Sequence, residues 1–151
     1  MTAVKILARQ IIIQVSDGAG TPTWLSIAGI QSAKPNPGEA EEAADIGTFD
    51  SNGYDESMPA QRGATLETEG LIVKDDITGA QNPGQARCDA LAAQIGYQAL
   101  GSVRFRHPMD TAWKVWTAWV SPAEQGGSKN DPDSWGVKFV RSGAPSTMTV
   151  V

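Results

Sequence analysis

The stretch Thr111-Ala112-Trp113-Lys114-Val115-Trp116-Thr117-Ala118-Trp119-Val120-Ser121 constrains this chain more than any other. Its aromatic and β-branched residues fit a strand, in which successive side chains point to opposite faces. Trp113, Val115, Thr117 and Trp119 then share one face, and Ala112, Lys114, Trp116 and Ala118 the other. With tryptophan on both faces, the strand is expected to be covered on both sides, which calls for a layered β fold.

The rest of the chain agrees. Residues 5–15 (KILARQIIIQV) are rich in β-branched residues and run into the turn cluster Ser16-Asp17-Gly18-Ala19-Gly20, which predicts a first strand. Residues 24–30 read as a second, and Lys34-Pro35-Asn36-Pro37-Gly38 as a stop, because both prolines lack a backbone donor. Further strands are predicted over 65–73, 102–107 and 135–142. In the first of these, Thr65, Glu67 and Glu69 alternate with Ala64, Leu66, Thr68 and Gly70, giving one wet face. One helix is predicted over 84–100, with Asn82 as its N-cap and Pro83 at its first position. Its apolar stripe is Cys88, Leu91, Ala92, Ile95 and Ala99. The expected architecture is mainly β: one domain over 1–151, an antiparallel β-sandwich or small barrel with one packed α-helix.

Composition removes several classes of function. Cys88 is the only cysteine, so no intrachain disulfide can form, and no paired Cys and His pattern suggests zinc. No apolar run approaches the roughly 20 residues needed to span a bilayer. Arg9 interrupts the segment where a signal peptide would be apolar, so folding in the cytoplasm is expected. A net charge of −5 lacks the basic footprint of a tight nucleic-acid binder. It is compatible with a polymer that slides past rather than sticks.

Residues 38–63 are the puzzle. They hold acids, small polar groups and isolated aromatics with no sustained period, and read as a long extended loop. Ile46, Phe49, Tyr54 and Met58 are the large apolar residues in it, as expected of a segment that docks on a partner. Asp50-Ser51-Asn52-Gly53-Tyr54-Asp55-Glu56 has alternating oxygen ligands but lacks the closing glutamate of a calcium loop. Its acids supply no selectable catalytic pair. His107 has no nucleophile motif near it, and Cys88 belongs to the helix's apolar stripe. The five tryptophans suit core or subunit packing better than a sugar platform. No catalytic residue, cofactor site or metal site emerges.

Three blocks, taken in order, resemble a known family: ADIGTFDSNGYDESMPAQRGATLETEGL, DDITGAQNPGQARCDALAAQIG and KNDPDSWGVKFVRSG. The chain from about Trp24 to Gly143 is similar to the major tail (tail tube) proteins of long-tailed bacteriophages. The resemblance implies a non-enzymatic virion protein, made in the host cytoplasm, that forms six-membered rings stacking into a tube through which the genome passes. It implies partners in other copies of itself and in tail tip, tail terminator and tape measure proteins, with DNA conducted without specific binding and no membrane contact. Residues 38–63 would reach an adjacent subunit or ring, with Ile46, Phe49, Tyr54 and Met58 as anchors. Residues 5–15 and 65–73 are the expected channel strands, and Glu67 and Glu69 candidate lumen-facing acids. Tube proteins of contractile injection systems share the fold and are an alternative. A carbohydrate-binding β-sandwich is the rival from another class, and an enzyme using the acidic cluster comes third.

Overall fold

The computed structural model of the chain describes residues 2–150. Its elements follow in the order β1 (Ile12–Ser16), β2 (Trp24–Ser26), β3 (Ile30–Asn36), β4 (Glu42–Asp45), β5 (Ser57–Gln61), β6 (Thr65–Leu71), α1 (Pro83–Ala92), β7 (Gly101–Arg106), β8 (Ala112–Pro122), β9 (Ser134–Arg141) and β10 (Ser146–Thr149). Eight strands make one antiparallel sheet in the spatial order β2-β1-β7-β8-β9-β6-β3, with β10 added beside β8. The sheet is open, and β4 and β5 form a separate two-stranded hairpin.

The tryptophan-rich strand β8 is the pivot. One edge pairs with β7 through residues 114–118; the other pairs with β9 through 118–122 and with β10 through 112–115. Between the two, Ser142 N–H donates to Thr117 O at 2.7 Å and Gly143 takes φ +85°, a conformation that favours glycine. The chain can therefore pass from β9 into β10 along the same edge of β8.

One face of this sheet holds the core. Trp116, Ala118 and Val120 of β8 join Trp135, Val137 and Phe139 of β9, Leu66 of β6, Val103 and Phe105 of β7, and Ile13 and Val15 of β1. Phe105 and Trp116 meet edge to face at 5.0 Å. The helix packs on this side against β8, β1 and β2, burying Cys88 and Leu91. Gln85 is wholly buried with them because its carboxamide is fully used. It accepts from Val73 N–H at 3.1 Å and donates to Ala28 O at 2.8 Å and Leu71 O at 2.9 Å. One side chain thus ties the β2–β3 connection to the end of β6.

Only one face of β8 is fully covered, contrary to the expectation from its pattern. Trp113, on the other face, is buried by the guanidinium groups of Arg104 and Arg106 rather than by a second layer, and Trp119 is 43% exposed. Other boundaries also move. Residues 5–11 are not strand: Gln10 Oε1 accepts from Leu7 N–H, and the chain makes a 3-10 turn over Ala8–Gln10 before β1. Regular structure does not stop at Pro35, because β3 is an edge strand whose proline needs no outer partner. The helix ends at Ala92 rather than at 100. The Gly101 backbone packs against Leu91, and the chain reaches it through Gly96 at φ +74° and a 3-10 turn over Gly96–Ala99. Ile95, placed on the buried stripe by its spacing, is 89% exposed. β10 was not predicted. The segment 38–63, expected to be an extended loop, contains the β4–β5 hairpin.

Candidate functional site

Two surfaces remain once the core is accounted for: the hairpin arm and the outward face of the sheet. The arm is built by short-range bonds. At its base Glu39 accepts from the Thr65 hydroxyl at 2.8 Å, Lys138 Nζ at 3.3 Å and Asn36 Nδ2 at 3.2 Å. These donors, the Thr65 hydroxyl first, hold its carboxyl below the usual glutamate range. Arg62 pairs with Glu41 at 2.7 Å. Toward the tip, Ile46 N–H donates to Glu56 O, and a 3-10 turn over Phe49–Ser51 is closed by Asn52 at φ +54° and Gly53 at φ +81°. Asparagine and glycine are the residues that tolerate this left-handed geometry. The aperiodic sequence therefore makes two short strands and a tight tip.

The four apolar residues of the arm all face solvent. Phe49 is fully exposed, Tyr54 is 81% exposed, and Met58 and Ile46 are also open. β5 has no buried residue, and neither arm strand pairs with the main sheet. A two-stranded hairpin without a buried face is at best marginally stable in water. The arm's large apolar residues thus bury little surface within one copy of the chain.

On the sheet's outward face, Glu67 and Glu69 lie exposed along β6 as the alternation predicts. Glu67 stands in register between Lys34 of β3 and Lys138 of β9. With Glu39 also paired to Lys138, that row is close to neutral. Further across the face, Arg104 lies between two indoles, 4.3 Å from the Trp24 ring and 4.2 Å from that of Trp113. Its Nε and Nη2 donate to Gln14 Oε1, at 2.8 and 2.6 Å, and its Nη1 to Met148 Sδ at 3.0 Å. Arg106 is 4.8 Å from Trp113 and donates to the His107 and Pro108 carbonyls at 3.3 Å. Burial, followed by the neighbouring charge of Arg106, lowers the pKa of Arg104 from its ordinary value. Sequence reading missed this pair; the signal available was Arg104 and Arg106 alternating within one strand. It also missed an apolar groove of about 540 Å³ lined by Ile95, Tyr97, Leu100 and Trp119, because Ile95 was assigned to the core.

The remaining candidates become structural. Cys88 is buried, and burial pushes its thiol up to about 12, far from a nucleophile's range. His107 N–H donates to Asp110 in a tight turn. Trp116 and Trp135 are in the core, Trp113 lies under two arginines and Trp24 against one, so the tryptophans present no common platform. No helix among the described residues is long and apolar enough to cross a membrane.

No protein-family model matches the chain, and no curated protein does. Solved structures do. A chain from the tail of an empty gene transfer agent (GTA) particle, obtained by helical refinement with C6 symmetry, superposes with a TM-score of 0.71 at 19% identity, over 97% of this chain and 100% of that one. The chain has the tail-tube fold. A chain from the native GTA virion gives 0.70 at 16% identity over 96% and 100%. A chain from the anti-feeding prophage baseplate gives 0.59 at 11% identity, over 99% of each. The tail-tube fold therefore spans the whole sheet, helix and arm together.

Proposed function

We propose that this chain is a non-enzymatic structural subunit that assembles into stacked six-membered rings, forming a virion tail tube through which a genome is delivered. The observation that carries this reading is the likeness, end to end, to a GTA tail chain arranged in C6 symmetry. Two features of the chain support it. The arm exposes Ile46, Phe49, Tyr54 and Met58 to solvent, which suits a segment whose contacts lie on a neighbour. The open sheet leaves edges at β2 and β3, and sheet-to-sheet joining between subunits would satisfy them.

In this reading the main partner is the chain itself, within and between rings, with tail tip, terminator and tape measure proteins at the ends and along the bore. The subunit is made in the host cytoplasm and ends in the virion tail. DNA passes without specific binding. Residues 65–71 of β6 are a candidate channel strand, with Glu67 and Glu69 the acids nearest a lumen built from it. The tube of a contractile injection system is the second reading, favoured by the likeness to a chain of the sheath-tube complex of an extracellular contractile injection system. Deleting residues 45–59 tests the arm's role: a folded monomer that no longer forms rings or tubes is expected, and normal tubes from the deletion would contradict it.

A further inference from the structure

The chain's charge is unevenly placed. Between residues 39 and 63 stand seven of its 17 acids but one of its 12 basic residues. Glu39 and Glu41 are engaged by Lys138 and Arg62, the only ion pairs among the described residues. Asp50, Asp55 and Glu56 are left at the arm's tip, flanking the exposed Phe49 and Tyr54.

The complementary charge lies on the outward face of the sheet. Lys34 and Lys138 stand opposite Glu67, whereas Arg104 and Arg106 have no carboxylate partner among the described residues. Arg106 Nε–H is buried and finds no acceptor there either. Arg104 is already fixed between Trp24 and Trp113 and by Gln14. A guanidinium held in place loses little rotamer freedom on pairing, and its planar edge matches a carboxylate.

We propose that Arg104 and Arg106 form the docking site for Asp50, Asp55 and Glu56 at the arm tip of a second copy of this chain. This rests on the self-assembly proposed above and names the surface that receives the arm. Each copy carries one arm and one site, so the contact is head to tail and can close a ring or continue along a stack. Nucleic acid is the weaker occupant, because duplex phosphates come about every 1.7 Å and need a row of cations, where this face offers two arginines apart from the lysines that stand opposite Glu67.

Carbodiimide coupling provides the test, since it joins carboxylates to amines and not to guanidinium groups. The Arg106→Lys variant retains the charge and supplies an amine. In assembled protein, mass spectrometry should find that amine linked to Asp50, Asp55 or Glu56, with the links lost on dilution to monomer. In parallel, Arg106→Glu should raise the concentration needed for assembly by about tenfold, as expected for one charge-assisted bond. Combining it with Asp55→Arg should restore much of the loss, which a mere folding defect would not allow. Wild-type tubes without the coupling or the rescue would overturn the docking and leave the tube reading intact; a wild-type chain that never associates would overturn both. Salt-sensitive binding of a duplex oligonucleotide that Arg106→Glu abolishes, without any arm cross-link, would reassign the site to nucleic acid.

Discussion

The indole N–H of Trp135 donates to Asp89 Oδ1 at 3.0 Å, joining the helix to the start of β9. Trp135 is almost wholly buried, so its donor has no alternative acceptor in bulk water. A hydrogen bond to a carboxylate contributes about 1.5–3 kcal/mol. Trp135→Phe, which keeps an aromatic ring but removes the donor, should cost at least that in urea unfolding, and Asp89→Ala a similar amount. A loss below about 0.5 kcal/mol in both, the range of an ordinary surface change, would contradict the role of this bond.

Gln85 should be still less tolerant. Its removal leaves Val73 N–H, Ala28 O and Leu71 O without their partner in a buried place. Gln85→Leu fills the volume but not the bonds, and should destabilise by about 3 kcal/mol or more, at about 1–3 kcal/mol per buried group left unsatisfied. Chemical denaturation with an unchanged m-value checks it.

Gly70 lies where β6 meets the β2–β3 connection, and a Cβ there would collide with the Gly29 carbonyl oxygen. Gly70→Ala should therefore cost about 3 kcal/mol through forced backbone movement. Gly20→Ala, with open space around the added carbon, is the control and should fall within about 0.5 kcal/mol. Equal effects at the two positions would refute the packing account.

Acid should loosen the base of the arm. Glu39 has a folded-state pKa lowered chiefly by the Thr65 hydroxyl and then by Lys138. A lowered value means the stabilisation is present above the unfolded pKa of about 4.3 and is lost as pH falls through the folded one. Amide exchange at residues 39–41 and 62–65 should accelerate as pH is taken from 6 to 3, after correction for intrinsic exchange. Glu39→Gln should already show loose protection at pH 6 and respond less to acid.

Cys88 gives a simple readout of the helix seal. With its thiol pushed up to about 12 by burial, it should resist a thiol reagent at pH 8 in the native protein and react fully once unfolded. Rapid native labelling would mean that α1 does not stay closed on the sheet.

Much of this was legible in the chain, for identifiable reasons. The alternations of β6 and β9 follow the two-residue period of a half-buried strand, and Asn82-Pro83 marks the helix start by capping chemistry, Asn82 accepting from Gln85 N–H at 3.2 Å. Ile95 was misplaced because helical spacing gives a direction but not the point where the chain must leave to reach Gly101. The arm's strands were illegible because both faces are wet, so no hydrophobic alternation remains to read. Pro35 misled in the same way: its effect depends on edge position, which is a property of the sheet and not of the sequence. Arg104 and Trp24 meet only through three adjacent strands, a contact no local pattern encodes. The tail-tube fold itself came through the resemblance of ordered blocks rather than through any single motif.

The most direct test of the tube account is electron microscopy of the purified protein over a concentration series, with sedimentation of the same samples. Rings or hollow tubes of uniform width with sixfold symmetry, appearing above a threshold concentration and absent when residues 45–59 are deleted, are the predicted result. A strictly monomeric species at every concentration, unchanged by that deletion, would contradict it.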